Sequence, residues 1–202
     1  MDLTGINTTY PYLGLLVAVG AGRLLEMRLS RRHQRSLAAR GFSREREPGF
    51  PIMVALHAAI LVGAAVEVIV ARRPLIPAVA VPAFALFALG NLLRWWVIHT
   101  MSEHWNVQVV NALALGVVTT GPFRWVRHPN YVAVFVELLA LPLIHGAYLT
   151  ALCGGAVHVV VLARRITVEE RVLLADPTYR QTMAGKPRFL PLRLPVRSGG
   201  GS

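Results

Sequence analysis

The stretch IMVALHAAILVGAAVEVIVA, Ile52 to Ala71, decides the fold. Its 20 residues contain one charged side chain, Glu67. At a rise of about 1.5 Å per residue, a helix of this length matches the roughly 30 Å hydrocarbon thickness of a bilayer. Arg72-Arg73-Pro74 interrupts it, and a second apolar run follows from Leu75 to about Ile98. So short a break predicts a tight antiparallel hairpin of two spans, with Pro77 and Pro82 as kink sites in the second. Composition agrees: 54% of the 202 residues are hydrophobic and 15% charged, with a mean hydropathy of +0.51. That is too apolar for one soluble domain, so lipid is the expected solvent.

Upstream, Tyr10 to Met27 reads as another span, broken only by Arg23 and Glu26, which lie three apart on one helix face. No basic segment precedes it, so it is expected to stay as a helix rather than be cleaved. Arg28 to Glu47 carries seven arginines against two glutamates, ending in the turn signal Glu47-Pro48-Gly49, and reads as a polar loop or surface helix. Downstream, 99 to 130 is mixed polar and aromatic. Tyr131 to Ile144 and Ala147 to Ala163 are shorter apolar runs that read as a membrane helical hairpin. The tail, Arg164 to Arg197, has eight basic and three acidic residues.

The net charge of +11 and isoelectric point near 11.3 would suggest nucleic acid in a soluble protein. Here the arginines lie between apolar runs, so they read as topology signals and contacts to anionic lipid, with no nucleic-acid partner. The positive-inside rule places the loop at 28–49, the 99–130 region and the tail on the cytoplasmic side, with the N-terminus outside. The expectation is an all-α integral membrane protein of about five transmembrane helices, with a C-terminal membrane helical hairpin and a cytoplasmic cofactor pocket. Residues 1–98 would supply three spans, 99–197 the core of the site including the hairpin 131–163, and 198–202 a linker-like tail. A single cysteine, Cys153, excludes a disulfide framework, and no cluster of metal ligands stands out.

The candidate chemistry lies at the hairpin's mouth. Gly121-Pro-Phe-Arg-Trp-Val-Arg-His-Pro-Asn-Tyr131 contains Arg127-His128-Pro129-x-Tyr131, and Glu169-Glu170 follows 41 residues after His128. A helical hairpin returns these stretches to one membrane surface, where cationic, imidazole, phenol and carboxylate groups converge. Each has a plainer reading. His128 and Pro129 suit the first turn of a helix, paired glutamates often form a solvated face, and Arg164 and Arg165 can snorkel. Glu67 and Glu137 lie within apolar runs, where a charge requires a partner or a cavity; Glu67 has Arg72 and Arg73 nearby in sequence. His57, Asn91 and Arg94 read as interhelical polar contacts.

The Arg-His-Pro-x-Tyr stretch, the hairpin, and an arginine followed by Glu-Glu together resemble the isoprenylcysteine carboxyl methyltransferase family and related phospholipid methyltransferases over roughly residues 90 to 192. The resemblance implies S-adenosylmethionine as cofactor, bound by Gln108, Leu115, Gly116, Val117, Val118, His128, Pro129, Asn130, Tyr131 and Glu169. It implies that Arg165 holds the acidic group of the substrate as the catalytic arginine; Phe123 stands where a tyrosine is common in the family. Glu137, from its place within an apolar run, reads equally as a structural residue and as a substrate-pocket candidate. Glu26-x-Arg28-x-Ser30-x-Arg32 and Ala55-Leu-His57 resemble a bacterial subgroup associated with polyketide products, which implies long-chain alkylpyrone-like lipids as substrates. The expected activity is O-methylation of the carboxylate or acidic hydroxyl of a lipophilic or lipidated molecule. An activated sulfonium methyl needs chiefly an aligned acceptor and exclusion of water. The competing readings are an NADPH-dependent membrane reductase of steroid or enoyl type and a non-catalytic helical bundle, and cofactor binding separates them.

Overall fold

The computed structural model describes residues 8–41, 49–106 and 116–191. Among these the chain is helical, without a strand: α1 (Thr9–Ala39), α2 (Phe50–Ala71), α3 (Pro77–Met101), α4 (Pro129–Leu143), α5 (Tyr148–Leu173) and α6 (Pro177–Met183), with short 3₁₀ turns at Ser102–His104 and Gly121–Arg124. Prolines at the first turns of α2, α3, α4 and α6 fit positions where an amide donor is not required.

Three helices, α2, α3 and α5, are long and apolar enough to cross a membrane. Only 17% of the most apolar window of α2 is buried within the protein, and Val62, Val66, Ile69 and Val70 stand exposed on it. Such a surface is stable against hydrocarbon, not water. The fourth helix is apolar but 15 residues long, about 22 Å, less than a full bilayer core.

The arginine-rich run after Met27 continues α1 to Ala39 as one helix of 31 residues. Ser30 and Leu37 are buried on one side while Arg28, Arg31, Arg32 and Arg35 are exposed on the other, so amphipathic spacing extends the helix through what reads as polar sequence. The buried side docks on the segment after α3, where the His33 ring lies 2.8 Å from the Trp105 carbonyl. Of the turn Glu47-Pro48-Gly49, only Gly49 falls among the described residues.

The expected hairpin of α2 on α3 does not form as a packed pair. Arg72 ends α2 in a left-handed conformation, φ 47°, and α3 leaves to pack chiefly on α4, while α2 packs on α5. Without a hydrophobic drive between lipid-facing helices, close approach selects partners, and it depends on small residues. A Cβ on Gly90 of α3 would sit 3.0 Å from Glu137 Cγ and 3.3 Å from the Ala133 carbonyl of α4. A Cβ on Gly154 of α5 would meet Ile60 of α2 at 2.7 Å. The second pair runs antiparallel, since Met53, His57 and Glu67 of α2 meet Arg165, His158 and Thr150 of α5 in turn.

Polar groups lock this arrangement. Glu67 accepts from the Leu149 and Thr150 amides at 3.0 and 2.8 Å and thereby caps α5 from a neighbouring helix, a negative charge at a positive helix end. Arg73 lies 3.9 Å away, the pairing anticipated from sequence. An apolar core joins Tyr12, Leu16, Ala64, Val68, Phe87 and Leu141 at one end of the bundle. A second gathers Val97, Trp105, Phe123, Tyr179 and Met183 at the other, beneath the site.

Candidate active site

A cavity of roughly 380 Å³ opens among α1, α2, α3, α4 and α5, within the range of ligand pockets. Its mouth is built by the end of the 121–128 segment, the first turn of α4 and the last third of α5. Gly121 adopts φ +54°, and a Cβ there would lie 2.5 Å from Thr100 Oγ1, so only glycine lets this segment cross so close to α3. Pro129 then begins α4 and His128 occupies the position before it, as a plain capping reading predicts. The His128 side chain, however, makes no cap bond; its Nε2 lies 3.1 Å from Glu170 Oε1.

The adjacent glutamates part company, because successive residues on a helix point about 100° apart. Glu170 is buried and held by Arg127 at 3.3 Å and Arg188 at 2.6 Å as well as by His128. Backbone bonds from the Arg127 and His128 amides to the Pro187 and Arg188 carbonyls, both 2.9 Å, fasten the tail beside the same point. The Glu170 carboxylate holds the Arg188 guanidinium above its ordinary range by direct hydrogen bonding. Burial pushes the Tyr179 phenol up to about 12, with the Glu169 charge adding to it.

Glu169 lines the cavity and accepts a short hydrogen bond from the Tyr131 phenol. Tyr131 in turn accepts from Arg165 Nε at 2.9 Å, and the Arg165 guanidinium lies 5.7 Å from the centre of the tyrosine ring. Arg165, Tyr131 and Glu169 therefore form one relay on the wall. Asn130 beside it keeps a buried, unpartnered Oδ1, and Arg127 keeps a buried, unpartnered Nε.

The cavity floor is charged. Arg23 donates to both oxygens of Glu26 at 3.1 Å and to Glu137, and Arg94 donates to Glu26 through Nε at 2.7 Å and through its second amino group. Two cations and two anions thus cancel across α1, α3 and α4, the arrangement that lets charges persist away from water. Above them the rings of His57 and His158 lie 5.4 Å apart.

Of the residues anticipated from sequence, His128, Pro129, Asn130, Tyr131, Arg165 and Glu169 line the cavity. Gly116, with φ +99°, leads into Val117 and Val118, which pack against the Trp105 and Phe123 cluster behind the wall. Gln108 and Leu115 lie outside the described residues. Glu137 is buried at the floor as the partner of Arg23. Asn91, expected to reach a neighbouring helix, bonds to Phe87 of its own helix at 3.1 Å, whereas Arg94 does bridge helices. Sequence reasoning did not place Met53, Trp105 or Asn106 at the site; Trp105 and Asn106 carry no local signal for it. Among the described residues no group of three or more metal-ligating side chains forms.

Comparison with known proteins agrees with this geometry. Residues 83–175 match the model of the isoprenylcysteine carboxyl methyltransferase (ICMT) family, a span that begins in α3 and closes just after α5. Over 152 residues the chain is 26% identical to "Uncharacterized protein YpbQ" of Bacillus subtilis (strain 168), covering 75% of this chain and 89% of that protein. It is 28% identical over 153 residues to an "Uncharacterized protein" of Haemophilus influenzae (strain ATCC 51907 / DSM 11121 / KW20 / Rd), covering 75% and 88%. The apolar helices and this family match make the chain an integral membrane protein. The family match covers residues 83–175, the segment that carries both arms of the site, and this part of the chain is similar to the isoprenylcysteine carboxyl methyltransferase family.

Proposed function

We propose that the protein is an S-adenosylmethionine-dependent membrane methyltransferase that O-methylates the carboxylate or acidic hydroxyl of a lipophilic acceptor, of isoprenylcysteine-like or alkylpyrone-like type. The observation that carries this reading is the Arg165–Tyr131–Glu169 relay on the wall of a cavity whose neighbouring Asn130 and Arg127 retain unsatisfied polar atoms. A buried acceptor and a buried donor left without partners are costly unless a ligand meets them. Their chemistry fits the cofactor: Glu169 and Asn130 Oδ1 suit its ammonium and hydroxyl groups, Arg127 Nε its carboxylate, and the Met101, Trp105 and Phe123 side chains its flat base. Once bound, S-adenosylmethionine supplies an already activated methyl group.

The chain's own residues then orient the acceptor and exclude water. Arg165 is the cation positioned to meet a developing or existing negative charge on the acceptor oxygen, and Tyr131 and Glu169 fix its guanidinium plane. The apolar side chains of Leu24, Leu61, Val134 and Leu162 line the remaining cavity and would hold an acyl or prenyl tail, at about 0.8 kcal/mol per buried methylene. We further propose five membrane passages, with α1 and α4 joining the three long apolar helices, the N-terminus outside and the site facing the cytoplasm. The exposed arginine stripe of α1 supports this orientation.

Calorimetry on the detergent-solubilised protein tests the cofactor: S-adenosylmethionine and S-adenosylhomocysteine bind and NADPH does not. Binding of NADPH alone would favour a reductase. Arg165→Ala is expected to abolish turnover while leaving cofactor affinity within a few-fold, and Arg165→Lys, which keeps charge without the planar fork, to retain part of it. For orientation, single cysteines introduced in a Cys153-free background label Ser36 and Thr182 from one side and Thr4 from the other. Thr4 and Thr182 labelled from one side would require an even number of passages.

A further inference from the structure

We infer that the protein carries a binding site for the headgroup of an anionic phospholipid, formed by Arg124, Trp125 and Trp96 on the outer side of the 121–128 segment. None of the three lines the cavity, so the site is separate from it. The segment has two faces: Pro122, Phe123, Val126 and His128 are buried, while Arg124 and Trp125 stand exposed between them. Trp125 meets Trp96 of α3 edge to face, with ring centres 5.8 Å apart and planes 70° apart. The Arg124 guanidinium carbon lies 5.0 Å from the centre of the Trp125 ring. An aromatic face thus holds the cation in place, and among the described residues no carboxylate pairs with it.

The course of α3 identifies the partner. Leu89, Leu92 and Trp96 recur at helical spacing, and Leu89 and Leu92 are 60% and 66% exposed. On a helix long enough to cross a membrane, such an outward apolar stripe lies against acyl chains. Trp95, Trp96 and Trp125 follow at its end, each close to half exposed, where indole rings favour the boundary between hydrocarbon and headgroups. A patch continuous with a lipid-facing stripe is met by lipid. Its guanidinium and indole N–H groups offer donors and positive charge, which suits a phosphodiester oxygen. A choline headgroup would bring its own cation to an aromatic face that Arg124 already occupies, whereas phosphatidylglycerol brings none.

Occupancy of this patch bears on the neighbouring cavity because the segment is pinned on both sides of it. Gly121 crosses close to Thr100, and the Arg127 amide bonds to the Pro187 carbonyl at 2.9 Å. Arg124 and Trp125 lie between these two points. A headgroup held there fixes the level of the cavity mouth against the bilayer surface.

Native mass spectrometry tests the site, with the full-length protein released from detergent containing equal amounts of dioleoylphosphatidylglycerol and dioleoylphosphatidylcholine. Wild type is expected to retain phosphatidylglycerol about five-fold over phosphatidylcholine, the effect of one cation at an anionic membrane surface. Arg124→Gln should remove that preference, and Arg124→Lys, which keeps the charge without the planar fork, should retain part of it. Arg32→Gln, on the exposed stripe of α1, should leave it unchanged. Excess glycerol phosphate, which has the charge without the chains, should not displace the lipid. Equal retention of the two lipids by wild type, or an undiminished preference in Arg124→Gln, would overturn the inference. An equal loss in Arg32→Gln would replace it with a diffuse field of arginines, and displacement by glycerol phosphate would replace it with a site for a free anion. A preference lost together with the thermal unfolding midpoint in both Arg124 variants would assign Arg124 to support of the fold and overturn it as well.

Discussion

The floor and the mouth of the cavity are built from the same residue types but are wired differently. At the floor, Arg23, Glu26, Arg94 and Glu137 are joined by ion pairs across three helices, with Arg94 NH1 and Glu137 Oε1 left without partners. At the mouth, Glu169 has the Tyr131 phenol, while Asn130 and Arg127 hold polar atoms in reserve. Ion pairs between helices hold the bundle together at the floor, whereas at the mouth Glu169 has no cation bonded to it among the described residues and is open to a ligand's charge. The same contrast recurs in miniature between Glu170, ringed by three cationic or imidazole partners, and Glu169 beside it.

The most severe test of this contrast is to break the floor. Glu26→Gln should strand Arg94 and half of Arg23 and cost about 3 to 5 kcal/mol, as expected when one partner of a buried pair is removed. It would appear as a lowered midpoint of thermal unfolding in detergent. Replacing Glu26 and Arg94 together by leucines should recover much of the loss, since no buried charge is then orphaned. A double variant no more stable than the single one would deny that the floor is a pairing network.

At the mouth the expected effect is smaller and of another kind. Glu169→Gln should weaken S-adenosylmethionine by roughly 1.5 to 3 kcal/mol, the range of a charge-assisted bond, with the unfolding midpoint little changed. Glu170→Gln should do the reverse, lowering the midpoint first because it loosens Arg127, His128 and the tail together. Matching effects of the two variants in both measurements would erase the distinction between them. The smallest effect is expected at Glu67, far from both regions: Glu67→Gln should lower stability by about 0.5 to 1 kcal/mol through a weakened helix cap, leaving cofactor affinity unchanged.

The helices themselves were legible because long apolar runs and prolines mark them without reference to neighbours. Their partners were not. Arg72-Arg73-Pro74 suggested that α2 and α3 pair, yet Gly90 and Gly154 direct the close approaches to α4 and α5, and such contacts depend on shape across the bundle. The length of α1 was hidden by arginines that obscure the buried spacing of Ser30 and Leu37. The convergence of Tyr131, Arg165 and Glu169 could be anticipated from a hairpin, whereas which of two adjacent glutamates faces inward depends on a rotation about the helix axis that a pair of identical letters does not reveal. The closeness of the His57 and His158 rings is set by the antiparallel register of α2 and α5, which neither letter reveals.

The bond between the 127–128 backbone and residues 187–188 fixes an order of events during synthesis. Arg188 leaves the ribosome after every helix that lines the cavity, so Glu170 cannot acquire its tightest partner until the bundle it belongs to has been translated. The floor, by contrast, has all four of its charges once Glu137 has emerged. The bundle can thus be neutralised and assembled first, and its site is latched only when residues 187–188 fold back.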